Sequence, residues 1–324
     1  MHRALGDAAG RGRSASLVKV PQKPSYMVDK ATDARYDSSQ SPSLGGRMAS
    51  RQVVEVEPRH SWELTLAGHA YIVSGAASGI GKATAEVLAE LGAGVVAVDL
   101  DGAGLATVAS SAGAVVPLEG DCVSEDVARE AVRVAEKSFG RLSGLVANVG
   151  VAVTARVEDL TLDAWTKSLS VNLTSHFVMT RETLRSLVRQ GDGGAIVYVA
   201  SKNAYSPGAG FGAYSVAKAG MVQLARIVAL EGAEAGVRAN IICPDAVFEG
   251  SKLWSDEIKA MRAHEHHVAP EELEAFYQKR NLLRTRILPG DVARTIAFLL
   301  SDWSEKTTGC VITVDGGLPG VFPR

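Results

Sequence analysis

From residue 68 onward, short β-branched apolar runs alternate with amphipathic helical stretches, and that alternation limits the possible folds more than any other feature of the chain. The runs are Tyr71–Ser74, Val95–Asp99, Val115–Leu118, Leu145–Asn148, Ala195–Val199, Arg238–Ile242 and Val311–Val314. Most are apolar throughout, as expected of strands covered by helices on both faces. Helical patterns fill about 79–91, 124–138, 162–189, 213–234 and 290–300, and Ser124 followed by two acids reads as a helix start. The β-α-β order implies an α/β fold, a Rossmann-type doubly wound parallel sheet of about seven strands flanked by helices in a single domain. That domain is expected over residues 66–324. Residues 1–65, polar and rich in Ser, Pro and Gly in stretches such as 37–46, bury too little apolar surface to offset their ordering entropy and are expected to be a disordered or linker extension.

A net charge of −2 and an aromatic content of 6% argue against nucleic acid or an acidic membrane surface as partner. No apolar run approaches the ~18–20 residues that cross a bilayer, and the start lacks a secretory apolar core. Cys122, Cys243 and Cys310 are widely separated, with neither metal-ligand spacing nor a disulfide framework, so a reducing, cytoplasmic setting is expected. Arg3, Arg11, Arg13, Lys19 and Lys23 leave four origins open for the first residues: an organelle-targeting segment, an unstructured tail, an added non-native leader, or translation assigned too far upstream of Met48.

The first strand runs directly into Ser74-Gly-Ala-Ala-Ser-Gly-Ile-Gly81. Gly75, Gly79 and Gly81, with Ser78 and Ile80 between them, open the following helix. Glycine permits the positive φ of a tight turn and omits the Cβ that would hold the backbone away from a pyrophosphate, whose charge the free N–H groups of a helix start attract. The strand-then-helix context is what a dinucleotide fingerprint requires. Asp99 ends the second strand, where a carboxylate accepts from the adenosine ribose hydroxyls and repels a 2′-phosphate. NAD is therefore expected over NADP.

Tyr214-Ser-Val-Ala-Lys218 lies in a helical pattern, which puts phenol and ammonium on one face. A free phenol titrates near 10, so a base working near pH 7 needs about 4 kcal/mol of help, roughly what one cation ~4 Å away supplies at a dielectric of ~20. Ser201 ends the fifth strand, at the sheet edge where open α/β folds bind ligands, and can hold a substrate oxygen beside the phenol. Asn172 lies within a helical stretch, where its amide can interrupt the helix and hold a water leading to Lys218.

The Gly-x-x-x-Gly-x-Gly spacing and the ordered set Asn172, Ser201, Tyr214 and Lys218 resemble the short-chain dehydrogenase/reductase family over about residues 68–324. The resemblance implies Tyr214 as general acid/base, Ser201 as substrate-orienting donor, Lys218 as ribose holder and pKa depressor, and Asn172 as proton-relay anchor. It also implies cofactor contacts at Asp121 and Cys122 after the third strand, at Asn148 and Gly150 after the fourth, and at Pro244 and Asp245 after the sixth. Homodimers or homotetramers are what that family forms. Pro244-Asp245 departs from the family's usual Pro-Gly; here Asp245 either bonds the nicotinamide amide or a substrate hydroxyl, or caps the next helix. With Val199–Ala204, Cys243–Gly250 and Lys306–Gly317, the chain is most similar to the dehydrogenase half of bifunctional rhamnulose-phosphate aldolase/alcohol dehydrogenases. A chain of this length has no room for their aldolase domain, so only dehydrogenase activity is expected.

Residues 246–288 exceed the ~2–6 residues of a simple connection and read as a lid over the substrate. The run His264-Glu-His-His267 lacks partners at zinc-site spacing and reads as a solvated helix face, so no metal is expected. Lys202 and Asn203, beside Ser201, either read substrate hydroxyls or an anion, or brace the loop. The expected activity is NAD-dependent hydride transfer to or from a small hydroxyl or carbonyl compound, such as a sugar, polyol or hydroxyaldehyde like lactaldehyde. The alternatives are a non-catalytic NAD-binding regulator and an epimerase or dehydratase on the same fold.

Overall fold

The computed structural model of the chain describes residues 63–321, so the expected N-terminal extension falls outside the described residues except for its last three positions. The seven strands are β1 (Ala70–Ser74), β2 (Gly94–Asp99), β3 (Val115–Glu119), β4 (Gly144–Ala147), β5 (Gly194–Val199), β6 (Val237–Pro244) and β7 (Val311–Val314). They form one sheet in the order β3-β2-β1-β4-β5-β6-β7, and every pairing is parallel. The expected Rossmann-type sheet is the one observed.

The helices are α1 (Gly79–Glu90), α2 (Gly102–Ser111), α3 (Glu125–Phe139), α4 (Leu162–Leu169), α5 (Ser175–Gln190), α6 (Gly212–Gly232), α7 (Asp256–Glu265), α8 (Leu273–Arg280) and α9 (Pro289–Leu300). Strand side chains alternate between two cores. Ile72, Val96, Leu145, Ile196 and Ile241 face α3, α5 and α6 through Ala131, Leu187 and Met221. Tyr71, Val73, Val95, Val146 and Val197 face α1, α2 and α9 through Leu88, Leu105 and Ile296. Each such fully buried apolar side chain contributes roughly 1.5–3 kcal/mol, which is why strands covered on both faces carry unbroken apolar runs.

Two elements differ from the sequence reading. α2 was not foreseen: Gly102 and Gly104 weaken its helical signal, yet the Asp101 side chain accepts from the Gly104 N–H at 3.0 Å, and Leu105 and Val108 are fully packed. The helix expected over 162–189 is two helices joined by a five-residue π-turn, Ser170–Thr174, that contains Asn172. Between β6 and α9, α7 and α8 enclose a small core of their own, in which Ala263, Leu273 and Tyr277 pack with Phe248, Trp254 and Phe276.

Candidate active site

Strand order reverses between β1 and β4, and the crevice there opens at the carboxyl ends of the strands, over the glycine loop. Gly75 and Gly79 adopt φ of 68° and 51°. A Cβ on Gly81 would stand 1.9 Å from the Gly75 carbonyl oxygen, and one on Gly75 would stand 2.8 Å from the Val149 Cα. Only glycine fits either position. The turn is braced from two strands: Asn148 Nδ2 donates to the carbonyls of Ser74 and Gly75 at 3.0 and 3.1 Å, and the Ala77 N–H donates to Asp99 Oδ2 at 3.0 Å. The other Asp99 oxygen accepts from the Asp101 N–H at 3.0 Å. A carboxylate has about four acceptor positions, so Asp99 keeps capacity for further donors.

Asp121 accepts from the Val123 N–H at 3.0 Å, which shapes the turn after β3. The Cys122 thiol is packed beneath the crevice, where burial pushes it up to about 12. The turn at Gly250 and Ser251 lies over the start of α1, so close that a Cβ on Gly79 would meet the Ser251 Cα at 3.3 Å. Next to it, Lys252 is ion-paired with Asp101. No feature of the sequence placed these residues beside the loop.

Asn172, Ser201, Tyr214 and Lys218 converge at the same edge. Ser201 follows β5 in extended conformation and caps a short 3-10 turn, Lys202–Ala204, with its Oγ accepting from the Asn203 N–H at 3.2 Å. That leaves its hydroxyl proton for the Tyr214 phenol, whose pKa the serine lowers. Tyr214 and Lys218 are one turn apart on the buried face of α6, with Lys218 Nζ 5.8 Å from the Tyr214 ring centroid. The ammonium donates to the Val199 carbonyl at 2.9 Å. Asn172 is held by main chain: its Oδ1 accepts from the Val151 N–H at 3.0 Å, and its Nδ2 lies 3.0 Å from the carbonyls of both Val151 and Ser168. Gly150 makes room for this group, since a Cβ there would lie 3.1 Å from Asn172 Oδ1 and 3.7 Å from Lys218 Nζ.

The electrostatics depart from the sequence argument in one respect. Burial raises the Tyr214 phenol to about 12, partly offset by the hydrogen bond with Ser201. Burial also lowers Lys218 to about 8. Desolvation is thus the largest influence on both groups, and the ammonium spends one of its protons on the Val199 carbonyl.

A cavity of about 110 Å³ opens beside Ser201 and Tyr214, bounded by Lys202, Asn203 and Phe211 on one side and Asp245, Trp254, Arg262 and Tyr277 on the other. That is well below the ~300–1,000 Å³ of sites for drug-sized ligands and suits a compact substrate. Pro244 ends β6 at the rim. Asp245, 5% exposed, is paired with Arg280 at 2.8 Å, and the guanidinium lies 3.9 Å from the Tyr277 ring centroid. Asp245 caps no helix, because α7 is capped by Ser255. Arg262 is paired with Glu265, donates to the Tyr277 hydroxyl at 3.1 Å and sits 5.2 Å from the Phe211 ring. His266, from the histidine run, is 2.8 Å from Arg262 and stacks on Phe276. Among the described residues no group of three or more His, Cys, Asp or Glu side chains is arranged to hold a metal ion, and no helix is long and apolar enough to cross a membrane.

The family profile described as enoyl-(acyl carrier protein) reductase matches residues 75–319. The uncharacterized oxidoreductase YuxG of Bacillus subtilis (strain 168) is 33% identical over 322 residues and matches 93% of this chain, which spans 47% of YuxG's own length. The cis-4-hydroxycyclohexanecarboxylate dehydrogenase of Sinomonas cyclohexanicum is 34% identical over 254 residues, 77% of this chain and 96% of that one. Among solved structures, levodione reductase superposes with a TM-score of 0.69 at 27% identity, over 77% of this chain and 97% of its own.

Proposed function

The chain belongs to the short-chain dehydrogenase/reductase family, and from that premise we propose that it is an NAD-dependent oxidoreductase acting on a small hydroxyl or carbonyl compound. The observation that carries the reading is that Ser201 and Tyr214 line one compact cavity, with Lys218 behind the phenol. A glycine turn that tolerates no Cβ fits a dinucleotide, with Gly75, Ser78, Gly79, Ile80 and Gly81 at its pyrophosphate and Asp99 at its adenosine ribose. Asp121, Cys122, Asn148, Gly150, Pro244 and Asp245 line the remainder of its path in this reading.

When bound, the nicotinamide supplies the hydride acceptor or donor. The chain's own residues handle the proton. Ser201 holds the substrate oxygen against the phenol, and Tyr214 takes the hydroxyl proton on oxidation or returns it on reduction. Lys218 favours the phenolate and holds the nicotinamide ribose, while Asn172 anchors the relay behind it. Residues 246–288 act as a lid, walling the cavity with Trp254, Arg262 and Tyr277. Acceptance of NADP is a second reading, favoured by Lys252 at Asp101; the negative charge of Asp99 favours NAD. A sugar, polyol or hydroxyaldehyde such as lactaldehyde fits the cavity, the last suggested by the likeness of Val199–Ala204 and Cys243–Gly250 to the dehydrogenase half of the aldolase fusions. Cys122, Cys243 and Cys310 form no disulfide among the described residues, which supports a cytoplasmic setting. Phe177 and Val188 on α5 and Val216 and Ile227 on α6, all exposed, support a homodimer or homotetramer.

A turnover screen over short polyols, sugars and hydroxyaldehydes with NAD and NADP tests the reading. Net NADH production is expected, with a higher kcat/KM for NAD; turnover without NADH accumulation points to an epimerase or dehydratase, and cofactor binding without turnover to a regulator. Tyr214→Phe should keep NADH affinity within a few-fold and lose roughly 10²–10⁴ in kcat. Full turnover in that variant removes Tyr214 as the acid/base.

A further inference from the structure

Charge is unevenly matched around the cavity. Asp245 is neutralised by Arg280 and Arg262 by Glu265. Lys202 lines the same cavity and has no ion pair among the described residues; its ammonium donates to the Ser206 carbonyl at 2.9 Å. An ammonium has three protons, so two are uncommitted. Lys202 directly follows Ser201 at the capped turn after β5, and both line the cavity. Half-buried charge is costly, and burial lowers the pKa of Lys202, with Asp245 pulling the other way and Arg280 and Arg262 opposing Asp245. Its neighbour Asn203 supplies a second, independent sign of a ligand. The side chain is 9% exposed, lines the cavity, and has an Oδ1 that meets no donor in the protein. A buried acceptor left in that state calls for a donor from the ligand, such as a hydroxyl.

We propose that the substrate is a small polyhydroxy anion, its carboxylate or phosphate held by Lys202 and a hydroxyl next to the reacting carbon donating to Asn203. This rests on the oxidoreductase reading above and narrows its substrate class. A neutral polyol satisfies Asn203 but leaves Lys202 uncompensated. A simple monohydroxy acid does the reverse.

The test uses compounds that share a secondary carbinol and differ in end group: glycerol against glycerate and glycerol 3-phosphate, and threitol against threonate, each enantiomer with saturating NAD. The charged members should exceed the neutral ones at least tenfold in kcat/KM, and comparison of glycerate with glycerol 3-phosphate distinguishes carboxylate from phosphate. Lys202→Met should bring the charged-to-neutral ratio down at least tenfold, and Lys202→Arg should preserve most of it. Equal or better turnover of neutral polyols by the wild type, or a ratio unchanged in Lys202→Met, overturns the proposal while leaving the oxidoreductase reading in place. Where none of these compounds is oxidised, threonate and glycerol 3-phosphate are titrated into the enzyme–NADH complex and followed by nicotinamide fluorescence. Saturable binding that disappears in Lys202→Met supports the proposal, and no binding refutes it. Failure to bind NADH at all counts instead against the oxidoreductase reading.

Discussion

Replacing Lys218 with methionine tests the electrostatics of the site through the stability of the fold. Burial holds the ammonium at about 8, against an ordinary 10.5, and the residue is only 3% exposed. Between those two values the unfolded chain binds a proton that the folded chain does not, so the wild type gains stability as pH rises through that window and is most penalised below 8. At about 1.4 kcal/mol per pH unit, the lysine costs the cofactor-free fold about 3 kcal/mol at pH 7 and under about 1 kcal/mol at pH 10. Methionine fills similar space without charge, but it deprives the Val199 carbonyl of its donor at 2.9 Å. That loss is about 1–3 kcal/mol and does not depend on pH. The net gain at pH 7 is therefore small. Its pH dependence is not: the advantage of Lys218→Met over wild type should fall by roughly 2–3 kcal/mol between pH 7 and pH 10. Urea unfolding of both proteins at the two pH values measures this, since the other titrating groups cancel in the comparison. An advantage that stays constant or grows with pH refutes the reasoning. Turnover in the same variant should drop roughly a hundredfold at pH 7. The ammonium lies 5.8 Å from the centre of the phenol ring, and a unit charge about 6 Å away in an effective dielectric of ~20 is worth about 3 kcal/mol.

Gly81→Ala should fold poorly and lose NADH binding, because its Cβ lands on the Gly75 carbonyl; a melting temperature within about 2 °C of wild type, each kcal/mol being worth roughly 2–4 °C at this size, counts against the turn as described. Arg280→Met removes the ion-pair partner of the buried Asp245 and should destabilise by about 3–5 kcal/mol, with Asp245→Asn in the same chain recovering part of it. Additive effects of these two substitutions, read by urea unfolding, rule out the pair as a coupled unit. Asp99→Ala should lower the NAD-over-NADP ratio of kcat/KM at least tenfold and weaken the loop brace at Ala77; an unchanged ratio removes Asp99 as the discriminating charge.

The residues readable in the sequence were those whose role is set by local geometry. The glycine turn is legible because Gly81 must pack against the Gly75 carbonyl six residues before it, and Tyr214 and Lys218 share a face because helices repeat every 3.6 residues. The seven strands were legible because a sheet covered on both sides demands apolar runs. What the sequence did not reveal depends on chain segments meeting in space. The pairing of Asp245 with Arg280 spans 35 positions, and the approach of Lys252 to Asp101 spans 151. Neither has a local signature. α2 was hidden by two glycines whose helical cost is met by the packing of Leu105 and Val108. The phenol's upward shift was missed because sequence spacing tells which groups are neighbours and not how deeply the fold buries them.

The π-turn at Ser170–Thr174 ties together two distant points of the molecule. A chain one residue shorter there would close into an unbroken rod, and everything beyond it would swing by about 100° relative to everything before. Asn172 would then part from Val151, or Gln190 at the far end would part from Leu142, with which it exchanges a pair of hydrogen bonds at 3.2 Å. The extra residue is what allows a single length of helix to serve the cleft at one end and clasp the opposite margin of the sheet at the other.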